Sequence, residues 1–573
     1  MPVFLPVAEL SINAFWLIGA GGVVGFLSGL LGVGGGFLLT PILMMIGIPA
    51  TVAAASDTNA IIATSSSGVA AHFRLGNVDV KMGSIMLLGG LTGAAIGVEI
   101  IKILRALGNA DVLIKLTYVA LLGAVGGFMM LDSLRNMRGG RMAAKARRPK
   151  RQHSILQRLP FQMRFPRSHV QHSVIVPYLL GTVVGVLAAV MGVGGGFLMV
   201  PLMVYLLGMS PHLAVGTSLF QILFTCAGVT YMQATTNHTA DLVLALLLAV
   251  GSTVGAQMGA VVSKLLRGEQ LMIILACMAL AVVVKMGFSL TVTPSSLLAP
   301  AAHEQTGETA AAERPHRPPD IAPASGNGTV TVTPPVIQID AAYSGQDVRI
   351  QGVASPGSKV VVVARGPETE EVFDRKGRAG PIWITRNKVH ISGVPTLFMR
   401  YSSEPAENFL SADEITRYQL DPAAIENQMR IAPDDPEDQK LRRDFVSVKK
   451  RENIYRIIDG GLQMGTPGPA GTPFTARFHW PRRAPSAVYD IQVHECRGGA
   501  VASTTTVPLR VMQVGFPAFM ADMAQNRAPL YGIMAIVATM LGGFGIDFLA
   551  SLLRKRKRYA VPADAGAAGG PSH

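Results

Sequence analysis

Residues 22–44 read GVVGFLSGLLGVGGGFLLTPILM, and residues 182–204 read TVVGVLAAVMGVGGGFLMVPLMV. Gly25, Gly32, Gly34, Gly35, Gly36 and Pro41 fall on Gly185, Gly192, Gly194, Gly195, Gly196 and Pro201, an offset of 160. Further on, Gly93 and Gly97 fall on Gly255 and Gly259 at an offset of 162. The chain therefore contains one unit twice. Both copies are apolar: from Ser11 to Phe73 the one formal charge is Asp57. Over all 573 residues, 49% are hydrophobic and 15% are charged. A soluble domain carries about 25% charge, so the duplicated unit reads as membrane-embedded.

A membrane span needs about 20 apolar residues. Candidate spans fall at 12–31, 37–48, 51–73, 80–104 and 112–132, and again at 174–191, 197–208, 213–234, 241–265 and 270–290. The segments 37–48 and 197–208 reach only about 18 Å as helices, so they read as half-helices, re-entrant arms or tilted spans. A further span reads over 529–553.

The net charge of +14 sits where it reports topology. Between Asp132 and His172 there are eleven Lys and Arg residues and no acid, and Arg554 to Arg558 are all basic. Both segments read as cytoplasmic. The crossings between them must then be even in number. Removing the last span leaves an odd number in the second copy, which makes the two copies inverted, with the N-terminus outside. Lys102, Arg105 and Lys115 then fall outside, against the trend of the rule. The basic loop lacks the interleaved aromatics that stack nucleic-acid bases, so no nucleic-acid partner is expected.

The same parity places residues 291–528 outside. Residues 291–335, rich in Pro, Ala, Gly and Thr, read as a linker. Strand-like runs follow at 336–340, 348–353, 359–366, 487–495 and 504–511, with a polar, partly helical stretch at 404–460. The expected organisation is membrane repeat 1 (10–133), a basic cytoplasmic loop (134–172), membrane repeat 2 (173–290), the linker, an extracytoplasmic β-rich domain (336–528), a transmembrane helix (529–553) and a cytoplasmic tail (554–573). The fold class is an all-α polytopic membrane protein of two inverted repeats, with that β-rich domain and a C-terminal membrane anchor added.

Oligoglycine at a helix break has two uses in a membrane. It permits close helix contact, and it bares backbone N–H groups at a helix start, where an anion is favoured. Gly32, Gly34, Gly35 and Gly36, with Gly192, Gly194, Gly195 and Gly196, are accordingly candidate substrate-binding residues. The Gly93–Gly97 and Gly255–Gly259 pairs read as packing. Polar residues within spans are costly and thus candidate functional groups: Asn59, Ser65, Thr217, Ser218 and Gln221 could donate to an oxyanion. Asp57 is the candidate proton carrier. Ser and Thr also bond back to their own helix carbonyls, and Asp57 could equally cap a helix near water. No Walker A, His-Glu-x-x-His or Cys-x-x-Cys motif occurs. Neither enzymatic chemistry, nor a metal, nor a cofactor is expected. Cys496 stands alone beside Glu495.

The paired GVGGGFL-x-x-P motifs, the basic loop between the copies and the stretch HFRLGNVD from His72 to Asp79 resemble the TauE/SafE family of sulfite exporters and anion permeases, over about 10–290. Residues 336–553 resemble a membrane-anchored alphaproteobacterial family, through Tyr343-Ser344-Gly345, Val363 to Pro367, Ile382-Trp383-Ile384 and Pro529 to Gly532. These resemblances imply a bacterial inner-membrane permease that exports sulfite, sulfonate or a similar small anion by alternating access, with the lipid bilayer as its setting. A protein partner for the outer domain and the oligomeric state stay open. Two rivals remain: a cation or metal permease using Asp57, and a membrane sensor or assembly scaffold acting through the outer domain.

Overall fold

The computed structural model describes residues 2–8, 10–31, 36–138, 160–168, 170–262, 268–294, 296–300, 330–433, 437–469, 471–482 and 484–558. The chain divides into two compact units: Ala14–Ile101 with Leu116–Met286 and Ala524–His573, and Met1–Asn13 with Lys102–Lys115 and Gly287–Met523.

The first unit is helical. Its helices are α1 (Ala14–Leu31), α2 (Gly36–Ile46), α3 (Ala50–Arg74), α4 (Val80–Ala106), α5 (Ala110–Arg138), α6 (Ile175–Met191), α7 (Gly196–Tyr205), α8 (Pro211–Met232), α9 (Leu242–Val262) and α10 (Gly268–Thr291). Each expected span is a helix, and the two short segments are the two short helices. At 11 and 10 residues, α2 and α7 reach only about 15 Å. Among the described residues five helical stretches are long and apolar enough to cross a membrane: Val80–Ala106, Ala110–Phe128, His212–Asn237, Leu242–Gly259 and Ala528–Ile546. The last belongs to α15, introduced below.

Glycine sets the packing. A Cβ at Gly21, Gly25 or Gly29 of α1 would collide with the main chain of α9 at Leu248, Ser252 and Ala256. Reciprocally, Gly251 and Gly255 of α9 leave room for Ile18 and Gly22. Both series rise together, so α1 and α9 run parallel. The other copy repeats the arrangement: Gly89 and Gly93 of α4 close on Tyr178 and Thr182 of α6, and Gly181 and Gly185 close on Met86 and Gly90. The first helix of each copy thus packs on the fourth helix of the other. Four-residue spacing places the small residues on one helix face, and contact this close is the main source of helix association in lipid. α3 lies along α8 in the opposite sense, with Gly68 against Leu219 and Gly216 against His72 and Asn77.

A feature absent from the sequence reading precedes α6. Strands β3 (Gln162–Phe165) and β4 (Val170–Ser173) form an antiparallel hairpin. An equivalent hairpin, β1 (Pro2–Leu5) with β2 (Leu10–Asn13), precedes α1. Pro6 falls on Pro166 at the offset of 160, so the duplication includes the hairpins.

The second unit is β-rich. One sheet has the order β14-β12-β9-β17-β18-β7, from Tyr455–Asp459, Phe398–Ser402, Lys359–Arg365, Ala487–Arg497, Ala500–Gln513 and Val336–Ile339. A second has the order β15-β16-β8-β6, from Leu462–Met464, Thr472–Trp480, Gln346–Ala354 and Thr331–Thr333. A third has the order β13-β11-β10-β5, from Arg430–Ala432, Ile382–Pro395, Glu368–Ala379 and Leu298–Pro300. Burial alternates along β8 but is continuous over Val360–Ala364 of β9, as expected for a strand with one covered face and a central strand covered on both. Helices α11 (Ala412–Arg417), α12 (Pro422–Gln428) and α13 (Asp438–Arg451) occupy the polar middle. The segment 291–335 is not linker throughout: Leu298–Pro300 pairs with β10 and Thr331–Thr333 with β8, because each adds a short edge to a sheet whose core the later strands supply.

This unit also holds the chain's start and the α4–α5 turn. Phe4 joins the β core, its N–H donating to the Ala341 carbonyl at 3.0 Å, and the Ser11 hydroxyl donates to the Tyr343 carbonyl at 2.7 Å. Asn109 binds Thr385 of β11 through both amide atoms, accepting from its N–H at 2.9 Å and donating to its carbonyl at 3.0 Å. Helices α14 (Gly515–Asn526) and α15 (Ala528–Arg558) end the described chain.

Candidate functional site

The start of α2 and the second helix break meet at α3. Gly36, the first residue of α2, faces Ile61, and a Cβ on it would stand 3.1 Å from the Val193 carbonyl inside the second break. A Cβ at Gly194 would stand 3.2 Å from Ile61 and 3.1 Å from the Cys226 sulfur. A small cavity lies beside this junction, with about 20 Å³ of water-accessible space. It is lined from α1 (Gly25, Ser28), α2 (Gly36), α3 (Asp57, Thr64) and α9 (Ser252), among others.

The second break shows why glycine is required. Gly192, Gly194 and Gly195 all have positive φ, at 77°, 65° and 79°. L-residues enter that region at a cost of about 1–2 kcal/mol. Space is denied as well: a Cβ at Gly192 would overlap the Ala54 backbone, and one at Gly195 would overlap Val184. Gly192 caps α6, its N–H donating to the Ala188 carbonyl, and Gly195 opens α7. Gly196, its first residue, is buried. Tight packing is therefore sufficient reason for these glycines. Gly32, Gly34 and Gly35 lie outside the described residues.

Asp57 is fully buried on α3. The Thr40 hydroxyl of α2 donates to its Oδ2 at 2.8 Å, while Oδ1 has no partner among the described residues. It lines the cavity rather than capping a helix. Asn59, also buried, faces another way: its Oδ1 accepts from the Thr539 hydroxyl of α15 at 3.0 Å.

The remaining candidates divide. Thr217 accepts the Asp79 N–H on its hydroxyl at 2.9 Å, and Ser218 bonds back to the Val215 carbonyl at 2.9 Å. Gln221 donates to Thr225 at 2.8 Å, with both atoms filling the space over Gly90, and its Oε1 has no partner among the described residues. Ser65 is buried on α3. The structure brings Gly36, Asp57 and the second glycine break together around Ile61, and leaves Asn59 and Thr217 in contacts between helices.

Sequence reasoning missed the partners. Thr40 holds Asp57, and the Tyr118 hydroxyl of α5 donates to the Met191 carbonyl at the end of α6, at 2.8 Å. Asp241 was equally unremarked, although it falls on Asp79, the end of the HFRLGNVD stretch, at the offset of 162. In the β-rich unit His494 and Cys496 are buried. Burial, then Arg365, holds His494 down at about 4. Burial, then Glu414 and Glu495, pushes the Cys496 thiol up to about 12, which keeps it an unreactive thiol at neutral pH. No group of three or more metal-ligating side chains occurs among the described residues.

Residues 17–286 match the family described as sulfite exporter TauE/SafE, and residues 329–551 match a transmembrane-protein family, Alph_Pro_TM. The chain is 28% identical over 268 residues to "Probable membrane transporter protein YunE" of Bacillus subtilis, covering 45% of this chain and 92% of that protein. It is 30% identical over 244 residues to a "Probable membrane transporter protein" of Xylella fastidiosa, covering 42% of this chain and 82% of the relative. A shorter likeness, 33% over 94 residues, joins it to "Sulfite exporter TauE/SafE family protein 3" of Arabidopsis thaliana, covering 16% of this chain and 20% of that one. No solved structure matches it. The apolar helices and these relatives agree: the chain is a multi-pass membrane transporter that belongs to the TauE/SafE family over residues 17–286 and carries an Alph_Pro_TM domain over residues 329–551.

Proposed function

We propose that this transporter carries sulfite, a sulfonate or a similar small sulfur-containing anion out of the bacterial cytoplasm across the inner membrane. The observation that carries the reading is the convergence of the start of α2 and the second helix break on Ile61, beside a cavity that also holds Asp57. Helix starts at a break favour negative charge, and inverted-repeat transporters gather such breaks at one site near the midplane. The reciprocal packing of α1 on α9 and α6 on α4 supports two copies related by inversion. Each copy could then rock against the other, with Asp57 exchanging a proton. The turn at 107–109 and the N-terminal hairpin belong with the β-rich unit, which supports an outside position for all three, with Lys102, Arg105 and Lys115 among them.

A second reading, a cation as cargo, is favoured by one feature: the carboxylate is the formal charge among the cavity-lining residues. Purified protein in proteoliposomes separates the two. The anion reading expects saturable sulfite or sulfonate flux that an opposing proton gradient accelerates. Flux of a metal or alkali cation, with none of sulfite or any sulfonate tested, overturns it.

A further inference from the structure

α15 reads in the sequence as a membrane anchor, and it lies outside residues 17–286. Its contacts are more than a tether requires. Near its start, the Tyr531 hydroxyl accepts the Leu242 N–H and donates to the Ala240 carbonyl, both at 3.0 Å, closing the first turn of α9. Gly532 lies on α8, where a Cβ would stand 3.4 Å from Tyr231. Two turns on, Thr539 meets Asn59, and one turn further Gly543 lies so close to the Ala63 backbone that a Cβ would overlap it. Thr539 and Gly543 share a face of α15, as Asn59 and Ala63 share a face of α3.

The Thr539 proton is shared among Asn59 Oδ1, the Ala535 carbonyl and the Ile536 carbonyl, at 3.0, 2.8 and 3.1 Å. It is nevertheless the contact that the buried Asn59 amide makes, since Asn59 Nδ2 has no partner among the described residues. An amide in this setting draws its helix towards whatever partner is offered. The adjoining face of α3 carries Asp57, Ala60, Ile61 and Thr64, which line the cavity.

We propose that α15 is a working part of the transport core and that Thr539 is a positioning residue. Acting through Asn59, it fixes the rotational setting of α3 and so the wall that presents Asp57. The transport readout rests on the proposed anion function; the positioning itself does not.

Two measurements on the full-length chain test this. The first is sulfite flux in proteoliposomes, read as turnover against KM. The second is modification of Thr64→Cys by a small polar thiol reagent, which reads the cavity wall without any cargo. Thr539→Val keeps the side-chain shape and removes the hydroxyl; it should lower turnover at least tenfold with KM within about twofold, and change Thr64→Cys modification several-fold. Thr539→Ser should restore both. Gly543→Leu should act like Thr539→Val. If Thr539→Val and Gly543→Leu leave modification and flux within twofold of the parent, the proposal is overturned. If the parent carries no sulfite but Thr539→Val still alters modification and Thr539→Ser restores it, the positioning role stands and the sulfite reading alone is lost.

Discussion

Asp79 and Asp241 do the same work in the two copies. Asp79 opens α4, accepting the Met82 N–H at 3.1 Å, and its own N–H donates to Thr217 of the other copy at 2.9 Å. Asp241 opens α9, accepting the Leu244 N–H at 3.0 Å, and its own N–H donates to Ser56 of the other copy at 3.0 Å. Each carboxylate satisfies a free N–H at a helix start, and each hydroxyl ties that start to the opposite half. All four side chains are buried.

Loss of either hydroxyl should therefore cost stability. Ser56→Ala and Thr217→Val each leave a buried N–H without its acceptor, at a cost of about 1–3 kcal/mol. Asp79→Ala and Asp241→Ala should each cost about 1 kcal/mol or more through the lost cap. Thermal unfolding in detergent should show a lowered Tm for all four; an unchanged Tm for Ser56→Ala and Thr217→Val would contradict the pinning role.

The second glycine break gives a graded prediction. Gly208 has a φ of 67° and open space around it, whereas Gly195 has a φ of 79° and Val184 against it. Gly208→Ala should cost about 1 kcal/mol. Gly195→Ala adds a collision and should greatly reduce the yield of monodisperse protein in size-exclusion chromatography. Equal yields for the two variants would show that Val184 yields readily.

Asp57→Asn keeps the shape and the contact with Thr40 while removing the exchangeable proton. If Asp57 carries the coupling proton, the variant should retain downhill sulfite exchange but lose acceleration by a pH gradient. Acceleration equal to that of the parent would remove Asp57 from the coupling.

His494 ties the stability of the β-rich unit to pH. Its imidazole is held at about 4, against an ordinary 6.5, so between these values the unfolded chain binds a proton that the folded chain refuses. The contribution is complete above pH 6.5 and is lost as pH falls towards 4. It amounts to roughly 3 kcal/mol. Replacing it with an uncharged side chain, His494→Gln, should flatten the Tm of the full-length chain between pH 6.5 and 4.5; the same slope in both proteins would assign the acid lability elsewhere.

The membrane helices were legible because long uncharged stretches have few alternatives, and the paired GVGGG motifs mark the interruptions between α1 and α2 and between α6 and α7. The hairpins at 2–13 and 162–173 were not, since four-residue strands carry too little alternation to stand out. In the β-rich unit, β7, β8, β9, β17 and β18 announced themselves by strand-like runs. The β10–β11 hairpin did not: Glu368 to Ala379 is charge-rich, and its ends are exposed. The site was legible as a list and not as a set of contacts. Polarity inside an apolar span flagged Asp57 and Asn59 alike, yet two residues along a helix turn the side chain through about 200°, so one faces the cavity and the other faces α15.

Labelling the two hairpin turns tests inversion most directly. Val7 and Arg167 are equivalent by the offset of 160, and each lies in its hairpin's turn. Single cysteines at these positions, treated in spheroplasts with an impermeant maleimide, should react at position 7 in intact cells and at position 167 only after permeabilisation. Reaction of both from the outside, or of neither, would place the equivalent turns on one face and contradict the inverted architecture.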